Sequence, residues 1–221
     1  MKIERSVSLW VYAMVILAAL STGVLCQAPC GDKDYECKIA AANKLIDSDP
    51  KKADGYIARG DAYYNSNRFA EALPDYNKWI ELSPNNAEAY FYRGDTYYKL
   101  KQYKNAIQDY TRSLSLDPNK AEVLTQRGNA YDDDGNFKAA LADYNSAISL
   151  DRANVDAYLN RGVAYGRQKN YRAAIDDYTK AISLDPKYAD AYKKRALAYD
   201  AIGDAEKAAA DRAKYDQLTN Q

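Results

Sequence analysis

The sequence predicts an all-α repeat protein made of paired helices, and three observations carry that expectation. The first is a fixed period: Arg59, Arg93, Arg127, Arg161 and Arg195 recur every 34 residues. Gly60, Gly94, Gly128 and Gly162 keep the same frame, as do Tyr63, Tyr97, Tyr131, Tyr165 and Tyr199. Self-similarity at a period of roughly 20–50 residues is the signature of stacked structural units. The second is that each unit holds two stretches with apolar and aromatic residues at helical spacing. In the second unit these are Tyr90, Gly94, Tyr97 and Leu100, then Tyr103, Ala106, Ile107, Tyr110 and Leu114. The third is punctuation. Pro50, Pro84, Pro118 and Pro186, with Arg152 standing in once, close the units, because proline cannot continue a helix and restricts the residue before it.

Taken from the N-terminus, the chain opens with Lys2 and Arg5, an apolar run from Leu9 to Leu20, and the small residues Ser21, Thr22 and Gly23. A basic start, apolar core and small-residue exit read as a secretory signal peptide over residues 1–26, with cleavage after Gly23 or after Cys26. The alternative is an uncleaved membrane anchor, since the segment from Val7 to Cys26 has about the 20 residues a span needs. Either way the repeats are expected outside the cytoplasm, secreted or periplasmic. All three cysteines lie between positions 26 and 37. With Cys26 removed or terminal, Cys30 and Cys37 form an even pair that reads as a short disulfide-closed loop in an oxidising compartment; two free thiols or a metal pair are the other readings. Residues 27–52 then end in "KIAAANKLIDSDP", a second helix without its first, expected to cap the array as a half-repeat.

From residue 53 the frame runs without insertion, giving units at 53–86, 87–120, 121–154 and 155–188 and a divergent fifth at 189–221. Asn136, Asn170 and Asp204 stand at the break within a unit as N-caps of second helices. A glycine inside a helix costs roughly 1 kcal/mol against alanine, so four in register need a packing reason. The expectation is a close approach to the recurring alanine twelve residues on (Ala72, Ala106, Ala140, Ala174). In the fifth unit Ala196 replaces glycine, Arg212 replaces tyrosine and Ala205 an aromatic, leaving a last helix polar enough to face water. Pro74 falls within the second helix of the first unit, where it is expected to kink the chain.

An aromatic followed by glycine four later, tyrosine three after that, then alanine, aromatic and proline resembles the tetratricopeptide repeat, over residues 53–221. The resemblance implies a right-handed superhelix of antiparallel helix pairs with a concave peptide-binding groove. It also implies which positions line that groove: Asp54, Ile57, Asp61 and Tyr64; Glu88, Phe91, Asp95 and Tyr98; Glu122, Thr125, Asn129 and Asp132; Asp156, Leu159, Val163 and Gly166; Asp190, Lys193, Leu197 and Asp200. An acidic residue takes the first place in every unit. Relatives that grip carboxylate tails carry Lys and Asn there; this chain has Asn129 and Lys193 but no such clamp. An apolar and aromatic groove with an acidic rim suits a basic or amphipathic polypeptide, with Phe91, Tyr64 and Tyr98 as anchors. The alternative reading of these carboxylates is a solvated helix face.

Other functions find little support. Equal numbers of basic and acidic residues, 31 each, give no general attraction to nucleic acid. Histidine is absent, which removes the commonest general base and metal ligand; no Ser-His-Asp or Cys-His pair can be assembled, no glycine-rich phosphate loop occurs, and no cofactor is expected. "DDDG" (Asp132 to Gly135) resembles a calcium loop but lacks the oxygen ligand at Ala130 and the Glu at Leu141, and reads as an acidic turn. "RGD" occurs at Arg59 and again at Arg93, both times inside a helix, where an adhesion receptor cannot read it. The five arginines and Asp75, Asp109, Asp143, Asp177 and Asp211 recur together, as an interhelical ion-pair ladder would. The reading is a non-catalytic exported scaffold that binds a polypeptide; a self-assembling solenoid, or an accessory positioning a catalytic partner, are the alternatives.

Overall fold

The computed structural model describes residues 30–220; the segment read as signal peptide or anchor lies outside the described residues. Among the described residues there are eleven helices and no strand. Helix α1 (Tyr35–Ser48) precedes five pairs: α2 (Asp54–Asn65) with α3 (Phe69–Leu82), α4 (Ala87–Lys99) with α5 (Tyr103–Leu116), α6 (Ala121–Asp133) with α7 (Phe137–Leu150), α8 (Val155–Arg167) with α9 (Tyr171–Leu184), and α10 (Ala189–Ala201) with α11 (Ala205–Thr219). Each helix packs on the next, and the first helices of neighbouring repeats α4, α6, α8 and α10 also touch directly. The second helices reach the next repeat through its first helix, so the first helices line the inside of the curve. The result is a right-handed superhelical solenoid of antiparallel pairs.

Local chemistry sets the helix ends. The side chains of Asn136, Asn170 and Asp204 accept from the backbone N–H of Ala139, Ala173 and Lys207, as expected of N-caps. Asn86 and Asn154 do the same for α4 and α8. Every turn inside a pair passes through one left-handed residue: Asn67, Lys101, Gly135, Lys169 and Gly203, with φ between 59° and 85°. Only glycine reaches that region without a steric cost, so the two lysines are held there by the packing of the helices they join.

The repeat glycine answers to a different partner from the alanine expected. A Cβ at Gly60, Gly94, Gly128 or Gly162 would meet Cε1 of Tyr76, Tyr110, Tyr144 or Tyr178 at 2.6–2.9 Å. The glycine makes room for a tyrosine ring sixteen residues on, and the buried alanine packs elsewhere in the same core. The fifth repeat obeys the rule in reverse: where that tyrosine becomes Arg212, the glycine becomes Ala196. Tyr76, Tyr110 and Tyr144 are among the largest fully buried side chains, and each anchors the centre of its pair.

Pro74 does not break its helix. α3 spans 14 residues, the same length as α5, α7 and α9. Pro74 lies on the outer, exposed face, and Ala70, whose carbonyl loses its donor, is exposed as well. Water can therefore replace the missing hydrogen bond, which a buried position would forbid.

The two ends close differently. α1 packs on α2, burying Ile39 and Ala42, and Gly55 permits close approach because a Cβ there would meet Ile46 Cγ1 at 2.7 Å. The Cα atoms of Cys30 and Cys37 are 5.7 Å apart, within the reach of a disulfide. At the other end α11 buries only Ala208 and Asp211 and turns its remaining face to water.

Candidate functional site

The in-register arginines are structural clamps. Arg59, Arg93, Arg127, Arg161 and Arg195 each donate to both carboxylate oxygens of Asp75, Asp109, Asp143, Asp177 and Asp211 at 2.6–2.9 Å. Each also donates through Nη1 to the preceding repeat's second helix, at Asn43, Asn77, Thr111, Asn145 or Thr179. One guanidinium thus joins three helices, and only its aspartate half was legible as a recurring pair. The aspartate hydrogen bonds raise the arginine pKa values, so these cations hold their protons throughout the ordinary pH range. Tyrosines cover the guanidiniums: the Arg93 carbon lies 5.7 Å from the Tyr90 ring centroid and 5.9 Å from that of Tyr97. These tyrosines are half-buried against arginine, where an apolar helix stripe was expected.

The groove positions divide sharply. Asp54, Glu88, Glu122, Asp156 and Asp190 are exposed, each in the first turn of its helix, where a carboxylate is also favoured by the helix dipole. Asp61 and Asp95 are not part of an acidic rim. They are buried and accept from Tyr76 Oη and Tyr110 Oη at 2.8 and 2.6 Å. Asn129 accepts from Tyr144 Oη in the same way at 2.8 Å. Phe91 is 9% exposed and packs against Tyr110 in the core, so it cannot serve as a groove anchor. Thr125 and Leu159 are buried too, whereas Ile57, Tyr64, Tyr98 and Val163 are half-buried, Gly166 lies partly open, and Lys193, Leu197 and Asp200 are exposed. Both RGD segments lie within this packing, with Arg59 and Arg93 held by aspartates and the following glycines against tyrosine rings.

On the inner face a cavity of about 170 Å³ opens between three consecutive first helices. Tyr98 of α4, Asn129, Asp132 and Asp133 of α6, and Asn160, Val163 and Arg167 of α8 line it, with Tyr144 behind. The frame explains why it opens here: the aromatic of the first two repeats, Tyr64 and Tyr98, gives way to Asp132 and then to Gly166. Asp132 is no turn residue. It belongs to α6 and is 6% exposed. Arg167 Nη1 donates to Asp132 Oδ2 at 2.5 Å, while both Arg167 Nη atoms reach Asp133 Oδ1 at 3.2–3.3 Å. Tyr98 Oη donates to Asp133 Oδ2 at 2.7 Å. Burial pushes the Asp132 carboxyl above the ordinary carboxylate range, against the pull of Arg167.

Tetratricopeptide repeat family models match residues 87–120 and 155–188, and 177–210, and a TPR repeat model matches 60–101 and 128–169. Together they cover residues 60–120 and 128–210. The chain belongs to the tetratricopeptide repeat family. Solved tetratricopeptide structures share the fold. A crystal structure of MamA protein is 28% identical with a TM-score of 0.66, over 76% of this chain and 92% of that one. MamA 41-end from Desulfovibrio magneticus RS-1 is 20% identical with a TM-score of 0.63, over 86% and 97%. YrrB, described as a TPR protein with an unusual peptide-binding site, is 22% identical with a TM-score of 0.62, over 83% and 94%. No curated protein matches the chain.

Proposed function

We propose that this tetratricopeptide solenoid is an exported, non-catalytic scaffold that holds a basic or amphipathic polypeptide on its concave face. The observation that carries the reading is the cavity built by α4, α6 and α8 on the inner face and lined by half-buried Tyr98, on helices whose first turns carry exposed carboxylates. The description of YrrB as peptide-binding lends the family context. Aromatic anchors usually dominate binding energy, and rim charges mostly set association rate. A pull-down from the exported fraction supplies the partner, and surface plasmon resonance then tests the face. Tyr98→Ala is expected to raise the dissociation rate about tenfold, the size of a modest hot spot. Glu88→Lys is expected to slow association and flatten its dependence on salt. Binding indifferent to both, yet sensitive to changes on second helices, places the partner on the convex face.

Self-assembly is the second reading, favoured by Leu197 and Ile202, which are 57% and 47% exposed at the carboxyl end. Light scattering over a concentration series separates the two, since a scaffold for another chain stays monomeric.

Export carries its own expected outcome. The mature chain begins between Thr22 and Ala28 and holds a Cys30–Cys37 disulfide that stabilises the α1 cap by on the order of 2–3 kcal/mol. Intact-mass spectrometry with and without reductant checks both, and an intact Met1 with free thiols in membranes favours the anchor. Among the described residues no helix is long and apolar enough to cross a membrane.

A further inference from the structure

We propose that the cavity at Asp132 is a receptor for one primary ammonium group, the end of a lysine side chain in the bound polypeptide. The proposal rests on the concave-face reading and adds the chemistry of its central contact. Asp132 is more than nine-tenths buried, and its Oδ1 has no hydrogen-bond partner, alone among the buried side-chain polar atoms of the described residues. A buried carboxylate oxygen left unserved is costly, and a charged N–H donor is the group that relieves the cost most.

The charge balance selects a cation. Asp132 and Asp133 share the single guanidinium of Arg167, which leaves one negative charge at the site. A single available oxygen suits the point donor of an ammonium, whereas a guanidinium seeks two acceptors side by side. The space of about 170 Å³ is several times the roughly 30 Å³ a water molecule occupies, and Val163 is the aliphatic side chain in a lining that is otherwise mostly polar, as suits a charged group.

Entry requires one movement. Asp132 Oδ1 lies beneath the surface, so Arg167, whose side chain is 44% exposed and already reaches Asp133, shifts toward Asp133 to admit the ammonium while staying paired with the two aspartates. Arg167 is in this sense a resident cation that covers Asp132 until the ammonium arrives. Removing it should therefore improve binding, which a purely structural salt bridge does not predict.

The test uses n-butylammonium chloride as probe, titrated at constant ionic strength into the full chain and followed by amide chemical shifts. Butyramide controls for a neutral donor and tetramethylammonium for charge without an N–H. Butylammonium is expected to give saturable shifts confined to residues 129–133 and 163–167, with neither control doing so. Asp132→Asn should weaken binding about tenfold or more, the scale of a charged hydrogen bond, and Arg167→Gln should strengthen it severalfold. Equal responses to the three probes, or no saturable shift, overturn the proposal. Should Asp132→Asn fail to fold, the carboxyl-carbon shift of Asp132 in the native chain decides, and a signal unmoved by butylammonium overturns it. Failure here leaves the groove reading intact, because Tyr98→Ala and Glu88→Lys test that reading against a polypeptide. A partner bound to the convex face removes the groove reading while the titration still reports on Asp132.

Discussion

Gly128→Leu is expected to destabilise the central repeat by about 3 kcal/mol or more, the upper end of overpacking costs, because the tyrosine beside it has nowhere to go. A Cβ alone would lie 2.6 Å from Tyr144 Cε1 and 3.1 Å from Cζ, and that ring is 1% exposed and fixed through Asn129. Leucine adds three further carbons to the same collision. Gly166→Ala is the matched control in the next repeat, since its nearest neighbour would be Tyr178 Oη at 3.7 Å. There the gain in helix propensity, up to about 1 kcal/mol, should appear unopposed. Urea unfolding followed by circular dichroism measures both. Small and equal effects would mean that the glycine frame does not mark a ring contact. The fifth repeat points to a further check: Gly128→Ala should be harmful alone and add no further cost once Tyr144 is truncated to leucine, since Ala196 stands where the ring is missing.

Arg127→Ala is expected to cost about 3–5 kcal/mol, the range for breaking a buried ion pair by removing one partner. Asp143 is 6% exposed and would be left with neither water nor guanidinium to meet its carboxylate oxygens. The clamp's other arm is weaker. Thr111→Val removes one hydrogen bond on the exposed side and should cost about 1 kcal/mol. The double change Arg127→Met with Asp143→Leu should recover most of the loss, because apolar pairs of similar volume replace buried ion pairs at little net cost. A double variant as unstable as Arg127→Ala would show that the clamp's geometry, and not the stranded aspartate, governs stability.

Several features of this fold were legible residue by residue. Asn136 announced a helix start because an N-cap acts on backbone only two or three positions away. Arg59 and Asp75 announced a contact because they recur together in five repeats. The glycine frame announces a close approach, but its partner is the tyrosine sixteen residues on and not the alanine twelve residues on. Both columns recur with the same period, so spacing could not choose between them. The departure of the fifth repeat, where glycine and tyrosine change together, was the signal that could have chosen. Pro74 misled because propensity assumes a buried or average environment, and its exposed face lets water stand in for the lost donor.

By itself the sequence determined the period, the helix pairs, their caps and the polar closing helix, all of which depend on neighbours within a turn or on recurrence along the chain. Tertiary structure alone decided the surface of the inner face. Asp61 and Glu88 are both acidic residues on first helices at expected groove positions, but one is buried under Tyr76 and the other open to water. Phe91 is core and Tyr98 is groove, although both are aromatics on α4. At the edge of a helix face, burial depends on which side chain of another helix arrives there. Arg167 meets Asp132 from 35 positions away, across a repeat boundary, and no spacing within either repeat encodes that meeting.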